Sequence, residues 1–254
     1  MKSLHNTRAI VLKSRDLSEK DRIVTFISPR RGKFDAAGKG VKKLTGSTMG
    51  KMEPLNEVLL MIRPGRNLDT VAQAMLANGF PQIRSRLETT CAGLYMLDLV
   101  NARVEKDQEC HQLFNHLRGC LYLLESGLNP DICACYFEAR FAGILGYSPL
   151  LGECTLCRRQ GNHTFFSPNH GSAICPNCRK AEKNLPGMET SPGTLPTLKS
   201  LMGLPQRMLF RVTIPRFIIQ ELRTLLGDHI DCNIPGNPVN REQYRRMGCP
   251  VTPR

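Results

Sequence analysis

The sequence predicts an α+β chain of more than one domain: a small β-barrel first, then a helical region with a four-cysteine loop set into it. Three observations carry this reading. Short β-branched runs separated by turn formers fill roughly the first 75 residues, helical periodicity follows, and two CxxC pairs stand in the middle of the later part. With 254 residues and 41% hydrophobic content, the chain has apolar material for more than one core.

Residues 7–13 hold the apolar run Ala9, Ile10, Val11 and Leu12, and 22–28 a second run rich in β-branched side chains, so each reads as a strand. Pro29-Arg30-Arg31-Gly32 reads as a hairpin turn into a strand at 33–37, and 57–62 as a further strand followed by the turn Pro64-Gly65-Arg66-Asn67. About five strands are expected, and a closed barrel is the economical way to hide their edges. Residues 69–78 read as a short helix that completes this unit.

Helical periodicity then runs over 85–128, with Leu87, Cys91, Leu94, Tyr95 and Leu99 on one face and Leu113, Leu117, Leu121 and Leu124 on another. Gly127 and Pro130 interrupt it. A helix at about 130–145 ends at Gly146, placed as a C-terminal cap. Residues 184–196 read as a linker and 198–209 as one short helix. Residues 215–226 form a clearer helix whose stripe of Phe217, Ile218, Leu222, Leu225 and Leu226 is expected in a core. The Pro- and Gly-containing tail beyond 231 is expected to be irregular. The expected division is a barrel domain at 1–80 and a helical domain at 81–254, interrupted by the cysteine loop at 150–182.

That loop carries the strongest motif. Cys154-Thr155-Leu156-Cys157 and Cys175-Pro176-Asn177-Cys178 are two knuckles, each curling a pair of sulfurs onto one point. Facing each other they offer four thiolates in the tetrahedron that Zn²⁺ favours in structural sites, with no position left open for water or substrate. Iron would accept the same ligands, and a disulfide is the alternative for paired cysteines. His163 and His170 lie within the loop and read as exposed. Residues 164–167 read as a short strand inside it. The other cysteines lack paired spacing, and Cys91, Cys120, Cys133 and Cys135 read as small apolar packers on helices.

Charge is the second large fact. The formal net charge is +13, and residues 1–50 hold twelve Lys/Arg against four acidic residues. Such a concentration on a small domain is the electrostatic footprint of a polyanion binder. The densest part surrounds the hairpin turn: Arg30, Arg31 and Lys33, then Gly38-Lys39-Gly40-Val41-Lys42-Lys43. Basic side chains there can track a phosphate backbone, and the long cations are expected to have no buried alternative. Phe26 and Phe34 can either stack bases or fill the barrel. No apolar run reaches the length of a membrane helix and no signal-peptide pattern opens the chain, so a cytoplasmic protein is expected. The glycines at 32, 38 and 40 do not have P-loop spacing, and no HExxH, GxSxG or paired-carboxylate constellation is present, so no enzymatic activity is expected.

A basic barrel with Arg31-Gly32-Lys33 and Gly38-Lys39-Gly40-Val41-Lys42 is followed by helices. Next come Tyr136-Phe137-Glu138-Ala139-Arg140-Phe141-Ala142-Gly143-Ile144-Leu145-Gly146-Tyr147 and, almost at once, the cysteine loop. This order resembles the RecO family of bacterial recombination mediators over residues 5–225. The resemblance implies an N-terminal OB-fold and a zinc-bearing loop. It further implies binding of single- and double-stranded DNA, annealing of complementary strands, and, with RecR, help in loading RecA onto DNA coated by single-stranded-DNA-binding protein in the bacterial nucleoid. It carries Arg30, Arg31, Lys33, Lys39, Lys42 and Lys43 over as backbone contacts, and Cys154, Cys157, Cys175 and Cys178 as metal ligands. The competing reading is a zinc-ribbon regulator or RNA-binding protein, in which Arg158, Arg159, Arg179 and Lys180 on the loop touch nucleic acid.

Overall fold

The computed structural model describes residues 4–17, 21–38, 49–161, 163–182 and 184–248. Lys39, Lys42 and Lys43 lie outside the described residues. By compactness the chain falls into two units, Met1–Gly127 with Val239–Arg254, and Leu128–Pro238.

The first unit is built on a closed five-stranded barrel in the order β1-β2-β3-β5-β4, the OB-like arrangement. Strand β1 (His5–Asp16) serves two partners: its first half pairs β4 (Glu57–Arg63) and its second half pairs β2 (Arg22–Ser28). An irregularity between Val11 and Lys13 lets one strand turn between them. Strand β3 (Gly32–Gly38) continues from β2, and β5 (Asp69–Asn78) closes the barrel by pairing β4 antiparallel and β3 in parallel through Ala36 and Ala37. Alternate residues point inward, so Ala9, Val11, Val24, Phe26, Phe34, Val58, Leu60 and Ile62 form one apolar core, with Met52 supplied by a 3₁₀ turn.

Residues 69–78 are therefore a strand and not a helix. Ala, Gln, Met and Leu favour helix, but the free edges of β3 and β4 demand a partner, and pairing outweighs local propensity. Phe26 and Phe34 are fully buried and stacked on each other at 5.4 Å, so they fill the barrel and are closed to bases.

Helices α1 (Pro81–Arg84), α2 (Leu87–Arg103) and α3 (His111–Glu125) pack in the same unit as the barrel. Glu57, fully buried on β4, accepts from Arg8 Nη1 at 2.6 Å, Arg118 Nε at 2.7 Å and Tyr122 Oη at 2.9 Å, joining two strands to α3. Burial opposes ionisation of Glu57, but these donors outweigh it and hold the carboxyl below its usual range.

The second unit holds α4 (Pro130–Ile144), α5 (Pro176–Ala181), α6 (Thr194–Gly203) and α7 (Arg216–Asn233). Asn129 caps α4 by accepting from the Asp131 and Ile132 N–H groups, with Pro130 in the first turn. Gly146, at φ +88°, takes the left-handed turn beyond the helix end, as expected. Carbonyls at the end of α6 are satisfied by side chains of α4: Arg140 donates to Met202 at 3.2 Å and Tyr136 to Leu204 at 3.2 Å. Helix α7 runs to Asn233, longer than its sequence stripe indicates. The tail is not wholly irregular either. Arg241–Gly248 forms α8, which belongs to the first unit and rests on α2, where Tyr244 donates to Asp98 and Arg241 to Tyr95 at 3.1 Å.

Candidate metal centre and nucleic-acid interface

The basic hairpin turn between β2 and β3 is held from below by the connection between α2 and α3. The N–H groups of Asp107 and Cys110 donate to the carbonyls of Lys33 and Pro29 at 2.9 and 3.0 Å. Gly32 sits at φ +70°, and a β-carbon there would lie 1.8 Å from the Gln108 carbonyl oxygen, so only glycine fits. The turn is thus a rigid mount.

Its cations have separate fates. Arg31 donates to both Asp69 and Asp107, and its guanidinium lies 4.5 Å from the centroid of the Phe34 ring. Burial works against its charge, yet the two carboxylates win and raise its pKa. Lys33 is buried, and its Nζ donates to the Asn101 carbonyl on α2 at 2.6 Å, while burial and then Lys106 lower its pKa. The expectation that these cations lack a buried alternative fails for both: carboxylates and a helix-end carbonyl supply one. Arg30 is exposed and has no carboxylate partner among the described residues. Of the six expected phosphate contacts, the structure places Arg30 where a phosphate can reach it, Arg31 half-buried in a double ion pair, and Lys33 inside.

The four cysteines of the loop are brought together in the second unit. Their sulfurs all lie within 4.8 Å of one another, with Cys157 and Cys175 3.6 Å apart. Zn–S bonds of about 2.3 Å in a tetrahedron put sulfurs about 3.8 Å apart, so the spacing fits a four-thiolate metal site. A disulfide needs about 2 Å, and all four are free thiols. The first knuckle is closed by Arg158 N–H donating to the Cys154 carbonyl at 2.7 Å, with Arg158 itself at φ +61°. Cys175 caps α5, so that the Cys178 N–H points at its sulfur from 3.5 Å.

Beneath the sulfurs, strands β6 (Phe165–Ser167), β7 (Ser172–Ile174) and β8 (Met188–Glu189) form a small sheet, and Phe165 and Ile174 pack on Cys154 and Cys175. Burial opposes ionisation of Cys154, but N–H groups of the two knuckles overcome it and bring the thiol down to about 6. The Cys157 and Cys175 sulfurs push the Cys178 thiol up. Such crowding of like charge is what a bound cation relieves. When bound, a metal here supplies a cross-link and no open coordination position. His163 is buried, with Nε2 3.0 Å from the Arg159 carbonyl, and His170 pairs with Ser167; neither joins the sulfurs.

Two of the loop's cations are also spoken for. Arg158 pairs with Glu153 at 2.7 Å, and Arg179 pairs with Glu189 while lying 4.5 Å from the Phe165 ring centroid. Arg159 and Lys180 are exposed. A buried residue that sequence reasoning passed over is His229 on α7. Its Nε2 lies 2.7 Å from the Tyr147 carbonyl and its ring meets Phe166 edge-on, tying α7 to the cysteine module; burial lowers its pKa. No periodic signal separates it from a surface histidine.

An OB-like barrel, a helical region and four cysteines placed so that they could hold a metal ion define the class of architecture, and no helix among the described residues is long and apolar enough to cross a membrane. The chain belongs to the RecO family: residues 1–80 match the family profile "Recombination protein O N terminal" and 84–242 match "Recombination protein O C terminal". Proteins named DNA repair protein RecO are similar along most of its length. Those of Pelotomaculum thermopropionicum and Desulforamulus reducens are 32% and 31% identical, over 89% and 90% of this chain and 88% and 89% of theirs. That of Heliobacterium modesticaldum is 30% identical over 92% of this chain and 86% of its own. The match reaches residue 242, beyond the expected limit at 225, and so takes in α7 whole and the start of α8.

Proposed function

We propose that this RecO-family protein is a non-enzymatic recombination mediator that binds single- and double-stranded DNA and anneals complementary strands. With RecR it would assist loading of RecA onto single strands coated by single-stranded-DNA-binding protein, in the cytoplasm at the bacterial nucleoid. The domain at 1–80 would be the primary nucleic-acid-binding module and 81–254 the helical domain that carries the metal loop at 150–182. The observation that supports this most directly is the β2–β3 turn on an OB-like barrel, tied down by backbone hydrogen bonds and presenting Arg30, which is exposed and has no carboxylate partner among the described residues. Arg30, Lys39, Lys42 and Lys43 would contact phosphates. Arg31 and Lys33 would hold the turn that carries Arg30.

Annealing forms and breaks no covalent bond. Cations lower the repulsion between two polyanions and release their counterions, and a strand held by its phosphates leaves its base edges free to pair. Zinc would be the structural metal, held by Cys154, Cys157, Cys175 and Cys178. The competing reading, a zinc ribbon that itself grips nucleic acid, is weakened by the pairing of Arg158 and Arg179 with carboxylates.

The test is annealing of two complementary labelled oligonucleotides, with zinc content and circular dichroism as controls. Wild type is expected to accelerate pairing without nucleotide cofactor, and a variant with Arg30, Lys39, Lys42 and Lys43 changed to alanine to lose that acceleration while keeping fold and metal. Failure of wild type to bind or anneal DNA would overturn the reading.

A further inference from the structure

Phenylalanine burial singles out one place on the second unit. Of the ten phenylalanines in the chain, eight are buried; Phe210 and Phe217 are 52% and 53% exposed. Lone exposed apolar residues are ordinary, but these two stand among three arginines. Arg207, Arg211 and Arg216 are all exposed and have no acidic partner among the described residues. No Asp or Glu occurs anywhere in 190–220. The nearest carboxylate in sequence, Glu221, is occupied by the Ser191 N–H, the Ser191 hydroxyl and the Thr194 hydroxyl.

Each ring has an arginine next to it in the sequence, Arg211 after Phe210 and Arg216 before Phe217. Gln206–Arg211 is a 3₁₀ helix, in which residues three apart eclipse, so Arg207 and Phe210 share a face while Leu209 is buried. Arg216 and Phe217 open α7, whose first turn has no side-chain cap and no acidic residue, so the positive end of the helix dipole has no carboxylate in its own turn. Between the two pairs, Thr213, Ile214 and Pro215 line a cleft of about 390 Å³ whose other wall is Pro196, Thr197 and Ser200 of α6.

We propose that Phe210, Phe217, Arg207, Arg211 and Arg216 form a second single-stranded nucleic-acid platform, on which bases stack on the rings and phosphates lie against the guanidinium groups. Alternating rings and unpaired arginines suit a chain that itself alternates π-faces and phosphates. The inference rests on the mediator reading and deepens it: an annealer handles two strands, and the barrel turn accounts for one.

The chain contains no tryptophan, so Phe210→Trp and Phe217→Trp each install a single indole reporter. Titration with oligodeoxythymidine of roughly 30 nucleotides should quench either indole as bases stack on it. Phe210→Ala with Phe217→Ala should weaken that binding by about tenfold per ring, with zinc content and thermal midpoint unchanged. Wild-type binding with silent indoles and an unaffected double variant would overturn the platform and leave the mediator reading standing. Absence of single-strand binding by wild type would overturn both. Quenching by a ten-residue acidic peptide and not by the oligonucleotide would assign the surface to a protein partner and overturn the proposal.

Discussion

The barrel and the α6–α7 region teach opposite lessons about positive charge. The first 50 residues hold the denser collection of lysine and arginine, yet around the β2–β3 turn Arg31 is locked by Asp69 and Asp107 and Lys33 by a backbone carbonyl. The region 190–220 has only Lys199, Arg207, Arg211 and Arg216, but no acidic residue stands among them. A polyanion responds to cations that are exposed and unpaired, since a paired one must first give up its partner. Charge density locates the domain; the pairing pattern locates the surface.

The largest effect that separates the two regions should come from the metal module. Cys154→Ser with Cys178→Ser should remove a single bound zinc per chain, read by atomic emission, and should lower the thermal stability of the second unit by several kcal/mol, since structural zinc supplies roughly 10–16 kcal/mol of apparent binding energy in small peptides. The barrel should keep its own transition. Full metal binding by that variant would break the comparison.

Next is the buried carboxylate of the barrel. Glu57→Gln leaves Arg8 and Arg118 facing a neutral group and should cost about 3 kcal/mol in denaturant unfolding. Because the Glu57 carboxyl is held below its ordinary range, the stability it contributes is complete above about pH 4.3 and is lost as pH falls toward its folded value. The glutamine variant should lack that acid-side loss.

A smaller effect is expected from His229 in the other unit. Its folded pKa lies below the ordinary histidine value because burial disfavours the cation. The unfolded chain therefore takes up the proton first, and stability should fall as pH drops below about 6.5. His229→Gln should flatten that slope below about pH 6.5; an unchanged slope would assign the dependence to other groups. Smallest of all, Arg31→Ala should reduce stability by about 1 kcal/mol, as for an exposed to half-buried pair, and leave the salt slope of DNA binding nearly unchanged, because a paired arginine releases few counterions.

Local signals were legible and non-local ones were not. The cysteine module could be placed from spacing alone because each knuckle is a four-residue event, and the helix ending at Gly146 carries its own cap. Residues 69–78 read as a helix in sequence because the reason for β5 being extended lies in β3 and β4, not in its own residues. Phe217 sits in a stripe that reads as core, yet it falls in the first turn of α7, where the chain has only just reached its neighbours. Arg31 and Lys33 look like free cations in sequence because Asp69, Asp107 and the Asn101 carbonyl are distant along the chain. The tail beyond residue 231 is rich in helix breakers, and α8 forms within it through Tyr244 and its bond to Asp98 on α2.

In the proposed reading, Arg30, Lys39, Lys42 and Lys43 hold DNA by its phosphates. Single-strand affinity measured across a salt series, for wild type and for the variant with Arg30, Lys39, Lys42 and Lys43 changed to alanine, tests it most directly. Four lost contacts should make the log–log slope shallower by about 2.8, from about 0.7 per phosphate on single strands. Equal slopes for the two proteins would contradict the claim.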